Sequence, residues 1–335
     1  MIKCSMVCDL RFGDTGKGSV THLLAKKPMY NMVVRHCGGG NAGHQVTHNG
    51  EQFSLHLIPM GVFFDKTSVI GPCCFLNIKS FFKEADELES VGIQVYKNIK
   101  IAYNTHIVTE KHLEEEKTEN RIGTTKRGIG PCARDKYSRV GKRAEQFKEL
   151  APYLVDTVEL LNNGDNNIIF EGAQGLALSI NARDYPFVTC SDIFGSVIES
   201  GVSPRTIDKI YGVIKIYDTY VGAKSFQPEN DEALKQLQIV GREVGVTTGR
   251  KRQTNWLNID ELQYALKATG CTHLVVNKCD VIKTVNVYKA IYKQELVTLS
   301  SIEELMSLIR VASREIIQDI KFHFRWSATD ELRDE

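Results

Sequence analysis

Short apolar runs alternate along the chain with segments whose apolar residues recur every three or four positions. The short runs are rich in Val and Ile and predict buried strands, whereas the longer spacing predicts amphipathic helices. The predicted strands are Met6–Leu10, Met32–Arg35, Ser68–Gly71, Asn167–Phe170, Tyr211–Ile216 and His273–Asn277. The predicted helices are Asn77–Ser90, Arg143–Leu161, Glu232–Gln238, Ile259–Ala268 and Ser301–Asp319. This alternation predicts an α/β fold in which helices cover both faces of a mostly parallel sheet.

Length and composition fit one large enzyme domain. The 335 residues are 42% hydrophobic, which is enough to form a sizeable core. Neither a repeat nor a linker interrupts the pattern, so we expect residues 1–335 to form a single domain. The formal net charge is +1, from 42 Lys and Arg against 41 Asp and Glu. This balance argues against a protein that coats nucleic acids or membrane surfaces.

The cysteines and the N-terminus favour a cytoplasmic protein. The nine cysteines contain no CxxC pair and show neither zinc nor disulfide spacing, so we interpret them as reduced, mostly buried thiols. Charged residues occur too early for the apolar part of a signal peptide, and no apolar run reaches the length of about 18 residues that a membrane span needs.

A glycine-rich turn with a lysine follows the first predicted strand. Residues 13–19 are GDTGKGS, and such a strand-to-helix turn directs backbone N–H groups at phosphate oxygens, with Lys17 adding positive charge. The turn is shorter than a Walker P-loop. Asp14 is unusual there, because phosphates repel a carboxylate unless it binds Mg²⁺ or moves a proton. Taken alone, the stretch is equally well explained as a tight turn with a solvated lysine.

A second glycine-rich stretch strengthens the phosphate-site interpretation. Residues 38–44 are GGGNAGH, and His44 is a candidate acid or electrophile facing Asp14. The other histidines, including His22 and His273, are interpreted as packed or surface residues. The acidic run at 114–119 predicts a solvated helix end.

Four further segments carry candidate ligand-binding groups. Residues 122–131 suit a nucleotide monophosphate, although an exposed flexible loop is an equal alternative. Gln174 could hydrogen-bond a base or phosphate, or belong to a polar turn. Arg250 and Arg252 project to one side of an extended backbone and can grip a dicarboxylate, with a solvated basic patch as the alternative. Residues 277–280 are NKCD and resemble a guanine-recognition box.

Taken in chain order, these segments resemble the adenylosuccinate synthetase family from Asp14 to about Asp280. The matching motifs are GDxGKG, NAGH, HLIP (56–59), GTTxRGIGP, FEGAQG, YPFVT (185–189) and TTGRKR. The resemblance implies a homodimeric ligase with a P-loop-NTPase-like α/β fold. Such enzymes join L-aspartate to carbon 6 of a 6-oxopurine nucleotide through a 6-phosphoryl intermediate, using a nucleoside triphosphate and Mg²⁺.

The resemblance also implies the roles of individual residues. Asp14 would remove the purine N1 proton while O6 attacks the γ-phosphate, and His44 and Lys17 would assist catalysis. Asp14 and the carbonyl of Gly43 would hold Mg²⁺. The purine monophosphate would contact Asp14, Asn41, Thr125, Gln174 and Thr189, with Arg139 supplied by the partner subunit. L-Aspartate would contact Thr247, Thr248, Arg250 and Arg252. The triphosphate would contact Gly13, Thr15, Gly16, Lys17, Gly18, Ser19, Gly43, His44, Lys278, Asp280 and Ser327.

Several positions depart from the cellular pattern. Cellular enzymes have TRVGAGPFPTE beside the substrate ribose, where residues 219–229 here are TYVGAKSFQPE. The C-terminal STGP segment, which helps enclose guanine, is replaced by SATD at 327–330, which disfavours GTP. Gly40 stands where bacterial members carry His. The chain also lacks the extra length of bacterial and eukaryotic members, and is closer to compact archaeal and phage-encoded ones.

These departures leave three hypotheses about function. Residues 9–18, DLRFGDTGKG, fit the loop of phage enzymes that couple dGMP to aspartate with ATP or dATP, for 2-aminoadenine DNA. Many of those enzymes replace the loop aspartate, whereas this chain keeps Asp14. We therefore favour a phage-type dGMP enzyme, acting in a host cytoplasm, that retains the ancestral base. The alternatives are the cellular reaction of IMP with GTP, which Asp280 favours, and a non-catalytic nucleotide-binding regulator.

Overall fold

The computed structural model describes residues 2–245 and 249–332, and these form the predicted α/β fold. The strands are β1 Lys3–Asp9, β2 Met32–Arg35, β3 Gly38–Gly39, β4 His44–His48, β5 Glu51–Leu55, β6 Thr67–Ile70, β7 Cys74–Leu76, β8 Ile99–Ala102, β9 His106–Ile107, β10 Leu154–Val155, β11 Asn167–Gly175, β12 Ile207–Lys215, β13 Tyr217–Tyr220, β14 Gln253–Asn258, β15 His273–Asn277, β16 Tyr288–Tyr292, β17 Glu295–Leu299 and β18 Lys321–Phe324. The helices are α1 Lys17–Lys26, α2 Ile78–Glu89, α3 Val95–Asn98, α4 Glu110–Lys117, α5 Ile129–Tyr137, α6 Thr157–Asn162, α7 Gly195–Glu199, α8 Glu232–Val240, α9 Ile259–Thr269, α10 Cys279–Val285 and α11 Ile302–Arg314.

A large parallel sheet forms the centre of the fold. Within the described ranges it has nine strands in the order β10-β8-β6-β2-β11-β1-β12-β15-β18, and all neighbouring pairs are parallel. All six predicted strands belong to this sheet. The strands that the sequence pattern missed, β8, β10 and β18, lie at or next to its edges and have two to four residues.

Both faces of the sheet are covered, as the apolar runs predict. Along β1, Met6 and Cys8 belong to the largest core cluster, whereas the intervening Val7 belongs to a separate cluster on the other face. That second cluster includes Val20 and Leu24 of α1, so α1 packs on that face.

Four predicted helices are present, and three of these have both ends within two residues of the prediction. The fourth ends early, because α11 stops at Arg314 rather than at Asp319. The predicted helix Arg143–Leu161 is wrong. Residues 144–146 and 148–153 form 3-10 turns, β10 follows, and α6 begins only at Thr157. Pro152 explains the break, since it lacks an N–H donor and disfavours helical backbone in the preceding residue.

Smaller sheets surround the central one. Strands β4 and β5 form a hairpin directly after β3, and β13, β14, β16 and β17 form a separate mixed sheet. None of the nine cysteines, all of which the structure describes, forms a disulfide, and seven of them are buried. Among the helices of the described residues, none has the length and apolar character needed to cross a bilayer.

The carboxyl ends of β1, β2, β11, β12 and β15 meet at one edge of the central sheet, because these strands are parallel. The loops that follow them line a cavity of about 1230 Å³. This is the position at which open α/β sheets bind ligands.

Candidate functional site

The glycine-rich turn after β1 forms the floor of the cavity. Three of its residues have left-handed backbone: Gly13 at φ 87°, Asp14 at φ 57° and Gly16 at φ 95°. A Cβ atom on Gly16 would lie 2.8 Å from Nδ2 of Asn277, so both conformation and space require glycine there. The turn leads into the N-terminus of α1, whose first turn contains no acidic residue. This combination of consecutive N–H groups and a helix N-terminus suits an anionic ligand.

A buried carboxylate supports the turn from below. Asp9 is fully buried and accepts hydrogen bonds from the Thr15 hydroxyl at 2.5 Å and the Arg11 N–H at 2.8 Å. Its Oδ2 lies 3.5 Å from Nζ of Lys17. Asp9 therefore fixes the turn and balances the charge of Lys17. Asp9 is not among the predicted site residues, although an acidic residue in an apolar strand run is a signal of such a role.

His44 is held by a buried acidic partner. Its Nδ1 lies 2.5 Å from Oε1 of Glu171, to which Arg35 also donates at 2.8 Å. Burial and the nearby Arg35 lower the pKa of His44 to about 4. Burial alone would raise the pKa of Glu171, but His44 and Arg35 outweigh it and bring that pKa to about 2. At neutral pH a neutral imidazole therefore donates from Nδ1 to a carboxylate. Glu171 belongs to the motif FEGAQG, in which the sequence predicted only Gln174 as a binding residue.

Gly18 allows this histidine to approach α1. A Cβ atom on Gly18 would lie 2.8 Å from Cβ of His44. The glycine therefore places His44 beside the first turn of α1, where Lys17 begins the helix.

A chain of alternating charges runs from Asp14 into the protein. Arg252 donates from Nε to Oδ2 of Asp14 at 2.7 Å and from Nη1 to Oε2 of Glu243 at 2.7 Å. Glu243 is buried and also accepts from Nζ of Lys215 at 2.7 Å and from the Tyr217 hydroxyl at 2.6 Å. Burial alone would raise the pKa of Glu243, but Lys215 and Arg252 lower it to about 2. Glu243 is therefore ionised at neutral pH. Asp14 and Arg252 are predicted site residues, whereas Glu243, Lys215 and Tyr217 are not.

The structure brings the predicted monophosphate residues to the cavity, with one exception. Asn41, Thr125, Gln174 and Thr189 line it. Gln174 is only 7% exposed, and both polar atoms of its amide lack a hydrogen-bond partner within the described structure, which is the state expected of a group awaiting a ligand. Arg139 is exposed and is not part of the lining.

The loop at 122–131 is tied to its neighbours. Glu116 of α4 accepts a hydrogen bond from the N–H of Gly128 at 2.6 Å, and Arg250 donates to the carbonyl of Gly123 at 3.0 Å. Glu116 is buried, so the predicted solvated helix end is wrong at this residue. A carboxylate that caps the N-terminus of α5 explains why a charge run contains a buried position.

The remaining predicted triphosphate residues lie near the end of β15. Lys278, Asp280 and Ser327 line the cavity, and Lys278 donates to the carbonyl of Gly241 at 3.0 Å. Behind them, buried Arg325 donates to the Ser19 hydroxyl at 2.9 Å and to Oδ1 of Asn277 at 3.0 Å. Arg325 thus joins the C-terminal segment to α1 and β15.

All the predicted site residues that the structure describes, except Arg139, line this one cavity. Thr247 and Thr248 lie outside the described residues. Within residues 2–245 and 249–332, no group of three His, Cys, Asp or Glu side chains has the geometry of a metal centre. A single carboxylate, that of Asp14, in the same cavity as Gly43 still fits Mg²⁺, because this ion takes oxygen ligands and completes its shell with water and substrate phosphates.

Comparison with known proteins finds a consistent set of relatives. A family model described as adenylosuccinate synthetase matches residues 6–149 and 144–305. The adenylosuccinate synthetase of Caldanaerobacter subterraneus subsp. tengcongensis is 36% identical over 335 residues, covering 83% of this chain and 78% of the relative. The adenylosuccinate synthetase of Heliobacterium modesticaldum is 36% identical over 353 residues, covering 88% of this chain and 82% of the relative.

Two solved structures share the fold. Fully ligated adenylosuccinate synthetase from Plasmodium falciparum superposes with a TM-score of 0.82 at 23% identity, covering 97% of this chain and 98% of that one. The cyanophage S-2L succinoaminodeoxyadenylate synthetase, bound to dGMP and dATP as an energy donor, superposes with a TM-score of 0.76 at 19% identity, covering 100% and 95%.

Proposed function

The chain belongs to the adenylosuccinate synthetase family and is a C–N ligase, and on that premise we propose that its nucleotide substrate is dGMP. The reaction joins L-aspartate to carbon 6 and consumes ATP or dATP. The product is N6-succino-2-amino-dAMP, a precursor of 2-aminoadenine in DNA.

One observation carries the choice of a deoxynucleotide. In the segment that resemblance places beside the ribose, Tyr220 stands where cellular enzymes have arginine. Its ring packs against Phe12 and Phe226, with centroids 5.6 Å away in both contacts, and it lines the cavity. An aromatic cluster in place of a guanidinium removes a donor for a ribose hydroxyl and favours a sugar that lacks the 2′-hydroxyl. The phage enzyme with dGMP and dATP shares the fold.

The chemistry uses the groups on the cavity floor. Asp14 takes the N1 proton, O6 forms a bond to the γ-phosphorus, and the bond from that phosphorus to the nucleoside diphosphate breaks. The arriving negative charge favours protonation of His44 at Nε2, and Glu171 stabilises the imidazolium through Nδ1. The amine of L-aspartate then bonds to carbon 6 and inorganic phosphate leaves. Direct displacement of oxide would be far slower, because oxide is a poor leaving group.

Enzymes of the family depend on a nucleoside triphosphate and generally use Mg²⁺. In this chain Asp14 and the carbonyl of Gly43 would hold the ion. When bound, Mg²⁺ neutralises phosphate charge during transfer. Lys17 and the N–H groups of the turn bind the same phosphates.

The second candidate is the reaction of IMP with GTP to give adenylosuccinate. It is favoured by Asp280, which lies in the first turn of α10 and lines the cavity, where a carboxylate could accept from guanine N–H groups. It is also the reaction for which Asp14 is retained in cellular members.

The test is a matrix of substrates. Purified protein receives L-aspartate, Mg²⁺, one of dGMP, GMP or IMP, and one of ATP, dATP or GTP, and products are identified by absorbance and mass. We expect the succinylated product with dGMP and an adenine nucleotide. Turnover with IMP and GTP alone would reject the proposal in favour of the second candidate. Nucleotide binding without product in any pairing would support a non-catalytic regulator.

We also propose that the active form is a homodimer. Arg139 lies outside the cavity of its own chain and is exposed, next to Val140, which is 70% exposed. These positions suit a surface that a second copy covers, with Arg139 entering the partner's monophosphate site.

A further inference from the structure

Arg252 has two acidic partners, and they use different parts of its guanidinium. Glu243 accepts from Nη1, whereas Asp14 accepts from Nε. Asp14 contributes one oxygen to this contact and so uses only half of the Nε–Nη2 edge, the fork that binds a carboxylate through two parallel hydrogen bonds. The Nε–Nη2 edge of Arg252 therefore makes one hydrogen bond to a carboxylate, although it could make two.

The other partner is fixed. The side chain of Glu243 is 0% exposed, and Lys215, Tyr217 and Arg252 all donate to it. Asp14, by contrast, is 32% exposed on the side chain, lines the cavity and contributes only one oxygen to Arg252. Of the two acidic partners of Arg252, Asp14 is the one that can be exchanged.

We propose that Glu243 is a positioning residue for L-aspartate. It anchors Arg252 through Nη1 so that the Nε–Nη2 edge faces the cavity, and a carboxylate of the amino acid takes this edge in place of Asp14. The inference rests on the proposed function, in which L-aspartate is the amine donor. It means that the amino acid competes with Asp14 for one guanidinium, and that its binding releases the carboxylate that acts as base.

The experiment measures L-aspartate affinity directly, by calorimetric titration and by the rise in melting temperature with added L-aspartate, in the absence of nucleotides. Four proteins are compared: wild type, Glu243→Gln, Asp14→Asn and Glu119→Gln. Each variant removes one negative charge. Glu119 lines the same cavity and hydrogen-bonds to the Arg121 N–H, so its variant is the matched charge control.

The expected change in L-aspartate affinity differs in direction between the variants. Asp14→Asn should bind L-aspartate about three- to tenfold more tightly, since the competitor is gone, and Glu119→Gln should change affinity less than about twofold. Glu243→Gln should bind it about tenfold more weakly, although loss of a negative charge alone would tighten binding. In turnover, Glu243→Gln should raise KM for L-aspartate with little change in the nucleotide KM values.

The results that would overturn this proposal differ from those that would overturn the proposed function. Tighter binding by Glu243→Gln, or unchanged or weaker binding by Asp14→Asn, would reject it, as would no L-aspartate binding to wild type. Folding of Glu243→Gln is checked by melting temperature and circular dichroism. If this variant does not fold, the comparison of Asp14→Asn with Glu119→Gln tests the proposal. The substrate matrix alone tests dGMP use, because the titrations contain no nucleotide.

Discussion

The carboxylate of Asp14 lies in a turn built to attract anions, where it has left-handed backbone and an arginine partner. Phosphate binding alone gives no reason for a negative side chain there, because it repels the ligand. Proton transfer and metal binding both give such a reason, and the exchange proposed above would free both oxygens of the carboxylate from Arg252. The residue is therefore placed to change partners during the reaction.

Replacing Asp14 with Asn should separate chemistry from binding. The amide cannot take the N1 proton, so we expect kcat to fall by about 10²- to 10⁴-fold, the contribution of a positioned base. Nucleotide affinity should remain within about threefold of wild type. Steady-state kinetics and equilibrium binding of the monophosphate check both statements, and an unaltered kcat would remove Asp14 from the role of base.

Burial of His44 should make stability depend on pH. Its pKa is about 4 when folded, compared with 6.5 ordinarily, so between these values only the unfolded chain takes up the proton. Stability contributed by this site is therefore present above about pH 6.5 and is lost as pH falls towards about 4. Glu171 acts in the same direction at lower pH, because its pKa is lowered to about 2 and its contribution is lost below about pH 4.5.

Urea unfolding of wild type and His44→Gln at about pH 7 and about pH 5 measures this effect. The wild type should lose about 2 kcal/mol more than the variant over this interval, since one group that stays neutral in the fold accounts for the difference. Other buried histidines, such as His36, whose pKa burial lowers to about 3, contribute to both proteins and cancel. Equal losses in the two proteins would show that His44 is not buried in its neutral form.

At the scale of elements, the site depends on how closely α1 and β4 approach. Lys17 begins α1 and His44 begins β4, and Gly18 is the point of contact between them. Helix propensity would favour alanine at position 18 by about 1 kcal/mol. The glycine is explained by packing against the histidine rather than by the needs of the helix itself.

Gly18→Ala should therefore lower activity without unfolding the protein. The added Cβ would lie 2.8 Å from Cβ of His44, so the histidine must shift by a few tenths of an ångström or more. We expect kcat to fall by about 10- to 100-fold, with the melting temperature reduced by only a few degrees. Gly40→Ala is the control, since a Cβ there meets nothing within 4 Å. Equal kinetics of the two variants would contradict this packing role.

At the scale of the whole molecule, one edge of the central sheet collects the predicted site residues that the structure describes, except Arg139. Strands β1 and β12, which are neighbours in the sheet, are separated by about two hundred residues in the chain. Their parallel alignment brings Asp14, which follows β1, near Lys215 at the end of β12. In the proposed homodimer, the exposed Arg139 would extend this arrangement to a second copy of the chain.

If active sites are shared in a dimer, two inactive variants should restore each other. Asp14→Asn disables the site on its own chain, and Arg139→Ala disables the site of its partner. After the two proteins are mixed under conditions that exchange subunits, about half of the dimers are hybrids in which both defects fall on one site. Activity should then return to about a quarter of wild type. Failure to recover activity, with subunit exchange verified by mass, would argue against shared sites.

The sequence by itself determined the sheet and the motif residues. Buried parallel strands are continuous apolar runs, so the six central strands were visible without tertiary information, and glycine-rich motifs at their ends located Asp14, Lys17 and His44. The helix predicted across Pro152 was wrong because apolar spacing was given more weight than a helix breaker.

Only the tertiary structure decided which charges meet. His44 and Glu171 are 127 positions apart, and Arg252 and Asp14 are 238 apart. Such pairs form because strand order brings distant loops to one edge, and local sequence carries no record of that order. A buried charge is tolerated only beside a partner, so Asp9, Glu171 and Glu243 could be interpreted only after the fold had placed their partners beside them.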